Sequence, residues 1–205
     1  MNDLDFSAFL VSRVCHDLVG PLGAVVNGLE VLEDERDAAM RADALKIVTS
    51  SAAQALARLQ FMRIAFGAAG SAGAELDLGE VCRLVSGLLS GGKVSLQWEA
   101  PHINWPKDWA KLIMNTALIA ADCLPRGGSV RIETNPEPGA FGFKIVASGQ
   151  GARIVEDVHR GLQGGEMNGH DARGVQPALT ARLAKGLNAG LTMTAREGEV
   201  EIVAG

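Results

Sequence analysis

The stretch RVCHDLVGPLGAVVNGLEVL, residues 13–32, determines the fold of the first third of this 205-residue chain. Its apolar residues recur every three or four positions, which is the spacing of one face of an α-helix. The spacing extends back to Phe6 and ends at the charged cluster EDERD (33–37), so the sequence predicts one long amphipathic helix. The apolar row comprises Phe6, Leu10, Val14, Leu18, Leu22, Val25, Leu29 and Leu32.

A second apolar row follows the charged cluster and predicts a second helix. Its steps of three and four residues are typical of a helix that packs against other helices. The run AFGAAGSAGA (65–74) then ends the pattern with residues that are typical of flexible linkers. We interpret residues 1–67 as an all-α helical hairpin and residues 68–74 as a linker. The second row comprises Leu45, Val48, Ala52, Ala55, Leu59, Met62 and Phe66.

A hairpin of two helices cannot enclose its own apolar faces. Two copies of it would complete a four-helix bundle, so we expect a homodimer in which Ala52 and Ala55 allow close helix approach. The alternative is that the hairpin packs on the C-terminal part of its own chain.

Residues 75–205 change to helices that alternate with strands. Asp77 and Glu80 form a capping box, and Pro106 suits the first position of a helix. The pattern predicts an α+β sandwich, with one sheet and helices on one face. Helices are expected from residue 77 to about 90, from 106 to 124 and from 177 to 187, and strands at 94–100, 129–135, 140–148, 191–197 and 199–204, with a turn at 136–139.

Composition and charge exclude several classes of protein. The chain is 47% apolar and 21% charged, as globular proteins are, and its net charge of -5 argues against nucleic-acid binding. Its three cysteines lack C-x-x-C spacing, so we interpret them as reduced thiols and expect no metal site. The start, MNDLDFSAFL, is acidic where a signal peptide is basic, and no run of about 18 apolar residues occurs. We expect a cytoplasmic protein that does not bind membranes.

One histidine on the first predicted helix faces away from the apolar row. At about 100° per residue, His16 lies roughly 150° from the centre of that row, so we expect it to be exposed. Two glycines share its side of the helix, although each costs about 0.5 to 1 kcal/mol there, which suggests that a partner approaches closely. The other three histidines, His102, His159 and His170, are assigned no role. The outward row comprises Arg13, His16, Gly20, Gly23 and Asn27.

Two neighbours adjust the surroundings of this histidine. Pro21 lacks an N–H group and therefore leaves the carbonyl of Asp17 without its donor within the helix. The Asp17 carboxylate is adjacent to His16 and can fix the tautomer of the imidazole, so that one ring nitrogen can act as a nucleophile. Arg13 is a candidate contact for phosphate or an acidic partner surface, or simply a solvated charge.

The string H-D-L-V-G-P-L (16–22) resembles the H-box of two-component signalling proteins, in which His precedes an acidic residue and Leu, and Pro-Leu follows after two further residues. With the hairpin, linker and sandwich, nearly the whole chain resembles the dimerisation and ATPase domains of a histidine kinase. The nucleotide boxes of such kinases are degenerate here. Asn115 matches the first N-box asparagine, but Ile119 stands at the metal-binding one and Ala147 at the adenine-binding aspartate, although the glycines at 149 and 151 are kept. Of the lid glycines only Gly174 remains, followed by Gln and Pro at 176 and 177.

This combination resembles the ChpT-type histidine phosphotransferases, which are dimeric relay proteins of bacterial cell cycle regulation with a degenerate ATPase-like domain. The resemblance implies that His16 accepts a phosphoryl group from the receiver aspartate of a CckA-like hybrid kinase. It then passes the group to CtrA-like and CpdR-like response regulators, with Asp17 orienting the ring. The resemblance further implies a phosphoryl-transfer protein without ATP-dependent kinase activity, which binds no cofactor itself and relies on Mg²⁺ supplied by the receiver.

Two other functions remain open from the sequence. An ATP-dependent sensor kinase fragment would need nucleotide contacts outside the usual boxes. A non-catalytic dimeric adaptor would leave His16 unmodified. For the sandwich, we expect its surface next to the bundle, including the glycine-rich segment 161–174, to add contact area for receiver docking.

Overall fold

The computed structural model describes residues 2–67, 73–135, 140–163 and 174–205. Its first two helices, α1 (Asp3–Asp34) and α2 (Ala38–Ala65), form the expected antiparallel hairpin. Three residues connect them. The Asp37 carboxylate caps α2 by accepting hydrogen bonds from the N–H groups of Ala39 and Met40. The Glu35 carboxylate accepts the N–H groups of Asp37 and Arg36, and these bonds lower the pKa of Glu35 below its usual value.

The two helices pack closely at Gly28. A Cβ atom there would lie 2.6 Å from Cγ2 of Val48. The buried residues of α1 are Phe6, Pro21 and Gly28, so the face that meets α2 is displaced from the predicted apolar row. Two members of that row, Leu22 and Leu29, remain 50% and 48% exposed. One neighbouring helix covers only one side of this broad apolar stripe, as expected of a hairpin that cannot enclose its own apolar faces.

An apolar surface of the hairpin, formed by large exposed side chains, is left uncovered within the single chain. By length and composition alone, α1 is long and apolar enough to cross a membrane, a property it shares with helices whose apolar face is covered by another helix. This surface, called here the open face, comprises Leu4, Val11, Val19, Leu22, Val26 and Leu29 of α1 and Leu45, Leu56 and Leu59 of α2. Patches of this extent usually mark a site of protein association.

The C-terminal region forms an α/β sandwich. A mixed sheet of five strands has the order β2-β4-β5-β7-β6, with β2 and β4 parallel and the other pairs antiparallel. Strands β1 and β3 form a separate antiparallel pair. The elements are β1 (Glu75–Asp77), α3 (Leu78–Leu89), β2 (Val94–Glu99), β3 (Asn104–Pro106), α4 (Lys107–Asp122), β4 (Gly128–Thr134), β5 (Phe143–Ser148), α5 (Glu156–Leu162), α6 (Val175–Gly186), β6 (Leu191–Arg196) and β7 (Glu199–Ala204).

The sandwich confirms most of the predicted elements. Asp77 caps α3 through the N–H groups of Gly79 and Glu80, as the capping box predicts. Pro106 is the N-cap of α4 rather than its first residue, and α4 ends at Asp122. The short strands β1 and β3 and the helix α5 were not predicted, so the expectation of a single sheet is wrong. The expected turn at 136–139 and most of the expected linker lie outside the described residues.

Helix α4 is the centre of the sandwich. All residues from Trp109 to Ala120 are buried, because the sheet, α2, α3 and α6 each contact this helix. Polar residues on α4 therefore need partners inside the protein. This requirement explains the hydrogen bonds that Lys111 and Asn115 make, described below.

The end of the hairpin formed by the start of α1 and the end of α2 packs on the sandwich. Phe61, Met62 and Ala65 of α2 belong to the same apolar core as α4. At the start of α1, the Arg182 guanidinium lies 3.9 Å from the centre of the Phe6 ring. The alternative that the hairpin packs on its own C-terminal part is thus correct for this end, while the open face stays uncovered.

Candidate functional site

His16 projects from the middle of α1 into solvent. Its side chain is 78% exposed, which confirms the expected orientation. Gly20, Gly23 and Asn27 are exposed on the same side of the helix. A Cβ atom at Gly20 or Gly23 would meet no atom within 4 Å, so neither glycine is needed for packing inside this chain. Because these two positions carry no side chain, the backbone of a partner could approach α1 closely beside the imidazole.

Asp17 lies under the imidazole and is itself largely buried. Its Oδ1 atom is 3.0 Å from His16 Nδ1, and its side chain is 12% exposed. The Oδ2 atom accepts a hydrogen bond of 2.9 Å from Arg13 Nε. The carboxylate thus contacts the imidazole and a guanidinium at the same time.

Arg13 does not belong to the outward row. Its side chain is 13% exposed and pairs with Asp17 one turn further along α1. The prediction of an outward Arg13 is therefore wrong. At 100° per residue, Arg13 lies between the side of His16 and the side that faces α2, and the Asp17 carboxylate draws it toward α2.

Arg58 of α2 completes this group, and the sequence did not identify it. Its Nη1 atom lies 3.2 Å from the carbonyl oxygen of Asp17, the same oxygen that Pro21 deprives of a donor within α1. The proline indicated that an outside donor was needed. Periodicity does not show which residue of α2 supplies it.

The arrangement suits a nucleophilic imidazole. When Nδ1 donates its hydrogen to Asp17 Oδ1, the lone pair of a neutral ring lies on Nε2, which points away from the carboxylate. The tautomer follows from the hydrogen-bond network, and the exposure of the ring leaves Nε2 accessible.

The residues that match the N-box of kinases are buried between the sandwich and the hairpin. The Asn115 side chain is fully buried, and its Nδ2 atom donates to the carbonyl groups of Ala65 and Lys111, both at 2.9 Å. Gln176 Nε2 donates to the backbone carbonyl of Asn115 at 2.8 Å. Ile119 lies in the apolar core, 1% exposed. The hydrogen bonds of Asn115 therefore join α4 to α2 and to α6.

Lys111 and Gly149 also make close contacts inside the protein. Lys111 Nζ donates to the carbonyl of Gly67 at 2.8 Å, and burial lowers the pKa of this lysine. A Cβ atom at Gly149 would overlap the carbonyl oxygen of Gly127, so this glycine is needed for packing. Ala147 is fully buried in β5. Most of the glycine-rich segment 161–174, together with His170, lies outside the described residues.

The other described histidines are not part of a comparable group. His159 is exposed on α5 and lies 3.0 Å from Gln163 Nε2 through its own Nε2. His102 is exposed in the loop before β3. Within the described ranges, no group of three or more His, Cys, Asp or Glu side chains could hold a metal ion.

Comparison with known proteins connects these features. The model of the histidine phosphotransferase C-terminal domain family matches residues 78–199. The chain is 38% identical over 188 residues to protein phosphotransferase ChpT of Brucella abortus, covering 90% of this chain and 88% of that protein.

The solved structures agree. A bacterial phosphotransferase superposes with a TM-score of 0.89 and 33% identity, over 100% of this chain and 98% of the other. The histidine kinase domain of a blue-light activated histidine kinase from Erythrobacter litoralis shares the fold, with a TM-score of 0.50 and 16% identity over 90% and 92% of the two chains. The predicted resemblance to histidine kinases in fold is confirmed.

Proposed function

The chain belongs to the histidine phosphotransferase family, and on this premise we propose that it relays phosphoryl groups through His16 in a two-component phosphorelay. The donor is the receiver aspartate of a hybrid histidine kinase, and the acceptors are the receiver aspartates of response regulators. The observation that carries the proposal is the exposed His16 ring, whose Nδ1 atom contacts Asp17 while Nε2 faces solvent.

The reaction consists of two transfers. His16 Nε2 attacks the phosphorus of the donor aspartyl phosphate, so that an N–P bond forms and the P–O bond to the aspartate breaks. The proton on Nδ1 stays in its hydrogen bond to Asp17, which stabilises the positive charge of the phosphorylated ring. A second receiver aspartate then attacks the phosphorus, the N–P bond breaks, and the neutral imidazole is restored. Such transfers depend mainly on positioning and charge.

The residues around His16 have separate roles in this proposal. Asp17 orients the ring, and Arg13 holds the carboxylate from its other oxygen. Gly20, Gly23 and Asn27 form the surface on which a receiver domain rests, because the two glycines leave room for its backbone. We therefore assign Arg13 to positioning of Asp17 and not to direct contact with a partner.

We also propose that the protein is a homodimer whose hairpins form a four-helix bundle. The open face supports this, because a second copy offers an identical apolar surface related by two-fold symmetry. His16 lies on a different side of α1 from Leu22 and Leu29, so the bundle would leave the imidazole accessible.

The chain itself is proposed to bind neither nucleotide nor metal. Both amide hydrogens of Asn115 are used inside the protein, and Ile119 and Ala147 offer no polar group to magnesium or adenine. Mg²⁺ would come with the receiver domain, whose own residues bind it. The relay would act in the cytoplasm between CckA-like, CtrA-like and CpdR-like proteins.

Phosphate incorporation tests the proposal. Wild type, His16→Ala and the matched control His159→Ala are incubated with phosphorylated receiver domains of the organism's hybrid kinases and, separately, with ATP and Mg²⁺. We expect label on wild type and His159→Ala from at least one receiver, and a loss of roughly a thousandfold or more in His16→Ala.

Other results would contradict the proposal in different ways. Label from ATP alone would identify an active kinase. Label that persists in His16→Ala would place the acceptor elsewhere. No label from any receiver would favour a non-catalytic adaptor.

A further inference from the structure

The peptide group that follows His16 has an unusual hydrogen-bond environment. In an uninterrupted α-helix, the carbonyl of residue 17 accepts the N–H group of residue 21. Residue 21 is proline, which has no N–H group, and it is buried on the side of α1 that faces α2. The chain therefore needs another donor at the point where the candidate acceptor histidine is held.

Arg58 supplies this donor from the neighbouring helix. Its Nη1 atom reaches the Asp17 carbonyl across 41 positions of sequence, at 3.2 Å. Its Nε atom is buried without an acceptor among the described residues. Burying such a donor is unfavourable, so the position of the guanidinium is better explained by its contact with α1 than by its own stability.

The contact acts on the same residue that orients the imidazole. Asp17 is held at three atoms: its carbonyl oxygen by Arg58, Oδ2 by Arg13 and Oδ1 by His16 Nδ1. A shift of its backbone would move the carboxylate relative to the imidazole. Small displacements of reacting groups can reduce rates about a hundredfold.

We propose that Arg58 is a positioning residue for phosphotransfer: it replaces the N–H group that Pro21 lacks, and so holds Asp17 where its carboxylate keeps the Nδ1–H tautomer of His16. The kinetic part of this inference rests on the proposed function. The tautomer part concerns the free protein and does not.

A double-mutant cycle separates this role from a general effect of charge. Arg58→Met removes the donor while keeping much of the length of the side chain. Pro21→Ala returns an N–H group to α1, which makes the donor from α2 redundant. Arg63→Met is the matched control, because Arg63 is an exposed arginine on the same helix. Arg58→Lys retains the positive charge and one donor group.

The first readout is the rate of phosphorylation by phosphoramidate, a small donor that needs no docking surface. We expect Arg58→Met to slow it about tenfold or more, Arg58→Lys to restore part of the rate, and Arg63→Met to leave it unchanged. In the Pro21→Ala background, Arg58→Met should reduce the rate by less than about threefold. An equal loss in both backgrounds, or no loss in either, would overturn the proposal.

The second readout is the ¹⁵N chemical shifts of the His16 ring at pH 8. We expect wild type to show Nδ1 protonated, and Arg58→Met to show a mixture of tautomers that Pro21→Ala returns toward the wild-type pattern. Unchanged shifts in Arg58→Met would overturn the positioning role. If these shifts change as expected but no variant accepts phosphate, the proposed function and the kinetic part of the inference fail, while the role of Arg58 in fixing the His16 tautomer stands.

Discussion

Helices α1 and α4 are both rich in apolar residues, but they use them in opposite ways. In α4, all twelve residues from Trp109 to Ala120 are buried. In α1, which is 32 residues long, the buried residues are Phe6, Pro21 and Gly28. A helix enclosed on all sides serves as the centre of a core, whereas a helix with an open side can bind other molecules. His16, the candidate phosphoacceptor, is on the second kind of helix.

The polar residues of the two helices show the same difference. On α4, Lys111 and Asn115 direct their side chains to the carbonyl groups of Gly67 and Ala65, at the end of α2. Their bonds stay within the chain and join the sandwich to the hairpin. On α1, Asp17 is held from below while the His16 ring remains 78% exposed. The sandwich thus fixes one end of the hairpin, while the side of α1 that carries His16 remains accessible to other molecules.

The same chemical change on each helix should give very different effects on stability. Leu112 is fully buried in α4, so Leu112→Ala should lower the free energy of unfolding by about 2–5 kcal/mol. Leu22 is 50% exposed in the single chain, so Leu22→Ala should lower the free energy of unfolding of the sandwich by less than about 1 kcal/mol. Urea unfolding followed by tryptophan fluorescence checks this, because Trp98, Trp105 and Trp109 all lie in the sandwich.

The matched variant Leu22→Ala should have its main effect on association. Each dimer would lose two leucine side chains from the open face, which should raise the dissociation constant roughly tenfold or more. Sedimentation over a range of concentrations measures this constant. A Leu22→Ala protein that associates like wild type, or one whose sandwich is weakened as much as in Leu112→Ala, would contradict the contrast between the helices.

The free cysteines offer a smaller, pH-dependent comparison. Burial, with the charge of Asp122, raises the pKa of the Cys123 thiol from its model-compound value of 9.0 to about 12. Above pH 9 the unfolded chain loses this proton while the folded chain retains it. The free energy of unfolding therefore falls as the pH rises from 9 toward 12, by about 1.4 kcal/mol per pH unit.

Variants isolate this contribution from other alkaline titrations, among them that of Lys111, whose pKa is lowered by burial. Between pH 9 and 11, unfolding free energies should fall less steeply with pH in Cys123→Ala than in wild type. Cys15 is exposed on α1, so Cys15→Ala should keep the wild-type slope. Equal slopes in all three proteins would show that the Cys123 thiol is not protected as the structure indicates.

Periodicity was sufficient to predict the hairpin and most of the sandwich. The long apolar rows of the hairpin are compatible with few structures other than helices, and the cap at Asp77 marks the start of α3 in the sandwich. The strands β1 and β3 have three residues each, too few to show a pattern, and they form by pairing with each other. Gly28 was missed because a glycine contributes nothing to an apolar row, although its close contact with Val48 sets the helix spacing.

The candidate site could be predicted only in part. The exposure of His16 follows from its position opposite the apolar row, and the pairing with Asp17 from their adjacency. The direction of Arg13 depends on a competition between solvent and the Asp17 carboxylate, which helical angle alone does not decide. Arg58 comes from a distant part of the sequence, and its contact requires the relative position of two helices.

The most direct test of the central claim is to identify the phosphorylated atom. The phosphorylated protein is examined by ³¹P and ¹⁵N NMR, with ring-labelled histidine and His16→Ala as the reference. Because Asp17 Oδ1 contacts Nδ1 of His16, we predict one phosphoryl group per chain, bonded to Nε2 of His16, the ring nitrogen that points away from Asp17. A phosphoryl group on Nδ1, or on any residue of the sandwich, would contradict it.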